Sequence, residues 1–501
     1  MGAFTAVDFA ILVLYFLAVL ATGLYFWRKS RSVEGFTAAG RSLPGWVVGF
    51  SILATYVSSI SFLANPGKSF DGNWNPFVFS LSLPIATWVA VKYFIPYYRA
   101  SNEVSAYSHL EHRFGPWARV YAGVCYLLIQ LARMGTVLYL MALPIHVVLG
   151  WDVTLIIVAT GVCVTAYTFV GGIVAVICTD AIQCIILMAG AVLCLVLMLF
   201  KFPEGPGQLF EIANQHEKFS LGSYDLSDFT APTFWVVLLY GIVINLTNFG
   251  IDQNYVQRYI AAKSDDDARK SLWMGGLLFL PLSALFFFIG TTLFAFYQVN
   301  PPNFEVKPDE VFARFIVDEL PPGLTGLLIA AVFSAAMSTV STSLNSSATL
   351  FMTDWYKRFL NREATEKQQM GALYVSTVVW GVFGTLLAVG IAALENRTVL
   401  DTWWVLAGVF SGGMVGIFLL GMVSRRAGNP AGVVAMCVGI LVIVWMSVPP
   451  LLDKLGVSAP DDVAQYMSSF HSLMIPVVGT LAILLVGLSA SQLFPPRASK
   501  S

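Results

Sequence analysis

Residues 51–67 read SILATYVSSISFLANPG. Hydroxyls cluster at Ser58, Ser59 and Ser61, amid apolar and β-branched residues and before a Pro66-Gly67 pair. Serine side chains offer the backbone hydrogen-bond partners other than the helical ones, so this run predicts a helix that unwinds locally. Carbonyls freed at such a break are tolerated at membrane depth only where they line a cavity or are buried in protein. The alternative is close helix packing through small residues. The surroundings of the segment place it in a bilayer: the 501-residue chain is 57% hydrophobic and only 11% charged, with mean hydropathy +0.74. An average soluble domain carries roughly 25% charged residues.

A helix needs about 20 apolar residues to cross the hydrocarbon core. Thirteen such stretches are visible, near 6–27, 45–66, 76–98, 117–147, 153–171, 174–200, 232–257, 271–297, 323–353, 371–394, 400–422, 430–450 and 469–494. The linkers are short, the longest being about 201–231 and 298–322, so no separate soluble domain is expected. In the first stretch the charges Arg28, Lys29 and Arg31 follow the apolar run. A secretory leader has them in front, so this segment reads as a retained transmembrane helix. Lys and Arg are unequally shared between alternate linkers, nineteen against seven. The richer set includes Arg99, Arg113, Arg119, Arg258, Lys263, Arg269, Lys357, Arg358, Arg425 and Arg497; the poorer set includes Lys68, Lys201, Lys218, Lys307 and Arg397. The positive-inside rule then puts the N-terminus outside, the C-terminus inside and both long acidic linkers outside. Lys92 lies near a helix end, where it can snorkel.

The net charge of -1 gives no reason to expect a nucleic-acid partner. The six cysteines (Cys125, Cys163, Cys178, Cys184, Cys194, Cys437) all sit in apolar stretches without a CxxC pair and read as small core residues. The five histidines form no ligand cluster, and His109 and His112 read as solvated linker residues. No phosphate-binding glycine loop with a lysine and no nucleophile elbow or zinc-protease helix occurs. An ATP-driven pump and a membrane enzyme are therefore disfavoured.

Three further places carry polarity that lipid-facing helices avoid. In AAVFSAAMSTVSTSLNSS, residues 330–347, Ser334, Ser338, Ser341, Thr342 and Asn345 share one helical face, a rail of oxygens suited to a hard cation or to helix packing. Asp180 lies in GGIVAVICTDAIQCIILMAG with apolar neighbours on both sides, which favours a polar cavity. Arg133 lies mid-span in CYLLIQLARMGTVLYLMALPI. Its guanidinium either pairs with a carboxylate such as Asp180 or holds a substrate carboxylate bidentately.

With these residues in hand, the chain resembles the sodium:solute symporter family over about residues 6–490. The motifs that carry the resemblance are ATYVSSISF at 54–62, FVGGIVAVICTDAIQ at 169–183, DQNYVQRYIAA at 252–262 and AAMSTVSTSLNSSATLFMTDWYKRF at 335–359. The resemblance implies an all-α polytopic membrane protein with leucine-transporter-like inverted five-helix repeats. It divides the chain into 1–44 (extra helix and loop), 45–200 (first repeat), 201–231 (linker), 232–422 (second repeat) and 423–501 (two helices and a short tail). The first helix of each repeat would break, near Tyr56–Ser59 and near Asn245–Phe249. Carried over by position, a sodium site would use backbone carbonyls of Ala54, Val57 and Ala335 with the hydroxyls of Ser338 and Thr339. Asp180, Ser338, Ser341 and Thr342 match a second sodium found in some members. Substrate would meet Tyr56, Ser58, Ser59, Ser61, Ser80, Arg133, Asn248 and Phe249. Arg133 and the serine string resemble the sialic-acid branch, whereas Tyr56 replaces a small hydroxyl residue and Ser80 a larger amide. The implied function is sodium-coupled uptake of a sugar acid by alternating access. Its alternatives are a neutral sugar or polyol, or a proton-coupled carrier or channel. The resemblance also implies sodium as coupling ion, with no cofactor and a monomer expected, while thirteen spans and short linkers favour a multi-pass location in a bacterial inner membrane over a eukaryotic plasma membrane.

Overall fold

In hydrocarbon a backbone must satisfy its own hydrogen bonds, and a chain of apolar runs does so as helices. The computed structural model describes residues 5–26, 31–58, 60–101, 103–301, 307–308, 310–393, 399–454 and 465–494. Ser59, Arg28, Lys29, Arg397 and Arg497 lie outside them. Among the described residues the elements are helices, joined by one isolated bridge between Leu43 and Ala262. We label them α1 (Ala6–Phe26), α2 (Gly45–Tyr56), α3 (Ile60–Asp71), α4 (Asn75–Ser101), α5 (Ser108–Phe114), α6 (Pro116–Leu149), α7 (Val153–Leu199), α8 (Pro206–Gln215), α9 (Phe234–Ile251) and α10 (Gln253–Ala261). Then follow α11 (Asp265–Val299), α12 (Val311–Glu319), α13 (Leu324–Phe351), α14 (Glu366–Ala393), α15 (Val399–Val423), α16 (Asn429–Lys454) and α17 (Met474–Leu493). Nine helices in the described residues are long and apolar enough to cross a membrane, ten if the bent pair α2–α3 is one span.

Two helices are interrupted where the backbone turns extended. Between α2 and α3 the axes differ by 58°, and Val57 has φ -89°, ψ 105°. Between α9 and α10 Asp252 has φ -77°, ψ 119°. The second break therefore falls at Asp252, beyond the expected 245–249, which stays helical. Its cause is local: the Asp252 carboxylate accepts the Asn254 amide at 2.8 Å and caps the helix that starts there. The 47-residue α7 would be about 70 Å long, twice the hydrocarbon thickness. It is interrupted at Gly172, whose φ of 53° and ψ of -167° suit a residue without Cβ.

At the centre is α13, in which residues 328–350 are all buried. It packs against α6, α7, α14 and α1. Its first turn is capped from another element: Asp8 Oδ1 of α1 accepts the amides of Gly323 (2.7 Å) and Gly326 (2.8 Å). A carboxylate there meets the positive end of the helix dipole. Helices α7 and α14 approach through exchanged contacts. A Cβ on Gly161 would overlap the Thr385 hydroxyl, and a Cβ on Gly381 would overlap that of Thr165.

Several charges read as linker residues are built into the fold. Arg258 is fully buried, and Lys218 is 4% exposed. The Lys218 ammonium donates to the carbonyls of Phe70 (2.7 Å) and Gly72 (2.8 Å), at the end of α3, beneath the Phe294 ring. His109 is also buried, wedged between Tyr97 and Phe418, while His112 stays exposed and faces Glu103. Arg119 joins Glu111 (2.9 Å) and Asp354 (2.5 Å), and Arg358 joins Glu111, tying α5 and α6 to the residues after α13.

Candidate transport site

A helix that stops in the membrane strands its last carbonyls. Near the end of α2 the Thr55 carbonyl accepts from Arg133 Nη2 of α6 at 2.5 Å. Arg133 is therefore not the partner of Asp180. It lines a cavity of about 130 Å³ together with Tyr56, Ser58, Ser61, Ser80 and Asn248. Five of the predicted substrate residues thus meet with Arg133 at one place. Ser61 Oγ donates to the Tyr56 carbonyl (3.1 Å) and Ser58 Oγ accepts the Ile60 amide (3.2 Å), so the hydroxyls hold the unwound turn as well as facing the cavity. Phe249 stands behind the wall, its ring against Tyr56. Asp252, absent from the sequence-based set, is the cavity's carboxylate.

The two departures at this site are structurally accommodated. The Tyr56 ring sits among Phe249, Tyr255 and Phe279, and its hydroxyl donates to Asn245 Oδ1 at 2.8 Å. Asn245 in turn donates to Ser82 Oγ at 2.8 Å. Tyr56 thereby ties the first broken helix to the second. Ser80 bonds Ser283 at 2.8 Å across the cavity wall.

A second, smaller cleft, too narrow to admit a water molecule, lies between α2, α7 and α13. Ala54, Val57, Ala335 and Ser338 line it, with Gln183 and Cys184. Four of the five predicted sodium residues are thus brought together. The fifth, Thr339, turns its hydroxyl onto the Ala335 carbonyl at 3.1 Å. Ser338 Oγ is buried without a hydrogen bond of ordinary geometry. Carbonyl and hydroxyl oxygens are the ligands that a hard cation takes.

Beside this cleft, Asp180 is fully buried and has its own cation. Its Oδ2 accepts from Arg258 Nη2 (2.7 Å) and Ser51 Oγ (2.8 Å). Arg258 also donates to Ser51 Oγ (2.8 Å), Thr342 Oγ1 (2.9 Å) and the Asn254 carbonyl (2.8 Å). Asp180 Oδ1 makes no hydrogen bond of ordinary geometry, although Ser338 is near enough to act on the carboxylate. Ser341 Oγ donates to the Ser338 carbonyl at 3.1 Å. The four residues of the second predicted set therefore cluster, around an ion pair that sequence reading did not anticipate.

A small cleft against one broken helix, next to a polar cavity at both breaks, is the arrangement in which discontinuous helices bind substrate and coupling ion. The model of the sodium:solute symporter family matches residues 36–439. The chain belongs to the sodium:solute symporter family. Among relatives of this family, the sodium/sialic acid symporter SiaT of Proteus mirabilis is 31% identical over 99% of this chain and 97% of its own length. The sodium/sialic acid symporter NanT of Aliivibrio fischeri is 30% identical over 98% and 94%. A solved substrate-bound, outward-open Na+-coupled sialic acid symporter superposes with TM-score 0.87 at 30% identity, covering 98% of this chain and 99% of that one. The protein is a sodium-coupled symporter of the membrane and not an enzyme.

Proposed function

We propose that this symporter takes up sialic acid or a closely similar carboxylated, polyhydroxylated sugar, driven by sodium. The observation that carries the reading is Arg133, a guanidinium opening onto a cavity edged with hydroxyls. Full-length similarity to two sialic acid symporters supports it. Sodium bound by the carbonyls of Ala54, Val57 and Ala335 and the hydroxyls of Ser338 and Thr339 stabilises one arrangement of the first broken helix against α13. Substrate binds the cavity next to it, and the coupling free energy is the difference in substrate affinity between the sodium-bound and sodium-free arrangements. The oxygens of Asp180, Ser338, Ser341 and Thr342 are the candidates for a second sodium.

The same reading places thirteen spans in a bacterial inner membrane, with the N-terminus outside, the C-terminus inside and the protein a monomer. It also takes 45–200 and 232–422 as inverted repeats. The two interrupted helices support this division, as do the exchanged Gly161–Thr385 and Gly381–Thr165 contacts, the pattern an internal two-fold generates.

The test is uptake of N-acetylneuraminate into proteoliposomes with an inward sodium or potassium gradient. We expect uptake with sodium only, and loss of at least about 100-fold in Arg133→Ala, a charge-assisted bidentate contact being worth ~3 kcal/mol or more. Sodium should still raise the melting temperature of that variant. Uptake of a neutral sugar instead would discard the clamp, and uptake independent of sodium would discard the coupling.

A further inference from the structure

Two opposite charges face the transport cavity without touching. Arg133 and Asp252 both line it, yet no ion pair joins them among the described residues, and Arg133 spends one donor on the Thr55 carbonyl. Asp252 is 8% exposed and sits at the break of the second discontinuous helix. A carboxylate has roughly four lone-pair sites. Here Oδ1 caps α10 through the Asn254 amide at 2.8 Å. Oδ2 receives only a long contact, 3.4 Å, from Gln130 Nε2. Gln130 is itself held by Ser343 Oγ at 2.7 Å and lies one helical turn before Arg133 on α6. One face of α6 therefore presents an amide and a guanidinium to the same carboxylate. A buried carboxylate oxygen without a strong donor is costly, so this one is poised for a donor that arrives with the cargo.

We infer that Asp252 is a specificity-determining residue of the transport site: its Oδ2 accepts a hydroxyl of the substrate while Arg133 holds the substrate's carboxylate. The cavity thus selects solutes that carry an anionic group and a hydroxyl donor together. A plain carboxylate leaves Asp252 without its donor, and a site built to bond a hydroxyl discriminates strongly against an analogue lacking it. The negative charge also fixes orientation, because a solute turned end for end brings its carboxylate against Asp252. Bonding requires no proton transfer. The inference rests on the proposed function and deepens it.

The experiment is a residue-by-ligand cycle in proteoliposomes, pairing wild type and Asp252→Asn with N-acetylneuraminate and its monodeoxy analogues. Asn keeps the Oδ1 that caps α10, and sodium-dependent thermal stabilisation without substrate checks that the fold and cation cleft survive. For one deoxy position the wild type should lose at least about tenfold in KM. Asp252→Asn should lose as much with the parent sugar and nothing further with that analogue. Penalties that multiply at every position, or a variant that handles the parent sugar like wild type, overturn the inference. If wild type takes up no N-acetylneuraminate, the functional reading itself fails. Gluconate and hexanoate are then compared by sodium-dependent thermal stabilisation of wild type and Asp252→Asn. A preference for gluconate that Asp252→Asn abolishes upholds the inference, and equal responses to the two acids overturn it.

Discussion

At the scale of single residues, legibility followed contrast. Arg133, Ser58, Ser61 and Asp180 stand out because each interrupts an apolar run, and all four lie at the cavity, the cation cleft or the ion pair beside it. Arg258 and Asp252 are hidden because they belong to DQNYVQRYIAA, a polar-dense run that straddles the end of the 232–257 stretch, where single polar side chains no longer stand out. In the folded chain Gln253, Asn254, Gln257 and Arg258 are all buried and bonded to neighbouring elements. Composition alone cannot separate a polar surface from a polar interior. His109 was misread in the same way. Burial, reinforced by the nearby Arg113 and His112 charges, pushes its imidazole down to about 4. An unfolded histidine titrates near 6.5, so between these values the unfolded chain takes up a proton that the folded chain refuses. Stability should therefore fall as pH drops from about 6.5 to 4, by an amount on the order of 3 kcal/mol at most. Melting temperatures across that range should show a shallower slope in His109→Phe. An unchanged slope would remove His109 from the cause.

Among elements, the interrupted helices were anticipated in kind, and one in place. The Ser-rich stretch reads as local unwinding because its hydroxyls compete with helical bonds, and the resemblance places the break near Tyr56–Ser59, where Val57 turns extended. The break at Asp252 was set three or more residues too early, because the cap that creates it is one carboxylate whose role depends on the amide two residues on. The relation between α7 and α14 is written in the residues, once the contacts show where to look: GVCVT at 161–165 and GVFGT at 381–385, with each glycine facing the other element's threonine. Small residues at such crossings let membrane helices approach. Gly161→Ala should cost about 1–3 kcal/mol by overpacking, read as a lower melting temperature in detergent. Adding Thr385→Ala should recover part of that loss. If Gly161→Ala melts with wild type, the crossing is looser than described.

For the whole molecule, the buried Asp180–Arg258 pair is the junction of α7, α10, α13 and α2, through Ser51 and Thr342. Removing one partner of such a pair strands the other charge, at about 3–5 kcal/mol, whereas replacing both by apolar residues costs much less. Asp180→Asn and Arg258→Met should each destabilise strongly, and Asp180→Leu with Arg258→Met should melt above either single variant. A double variant that loses the sum of both would show that the pair is not a unit. For this reason an activity lost in Asp180 variants is weak evidence for a sodium there, and Ser341→Ala is the cleaner probe of that oxygen cluster.

The Arg133–Thr55 bond has a consequence for efficiency. The peptide carbonyl that steadies the arginine belongs to Thr55, next in the chain to Ala54 and two residues from Val57, which line the smaller cleft. On the proposed reading the two cargoes meet neighbouring links of one short piece of chain, and no relay across the protein is needed for either to register the other. A carrier built this way leaks when that piece slackens, letting ions pass without freight. Its tightness as a machine rests on the short stretch where α2 gives way to extended backbone at Val57.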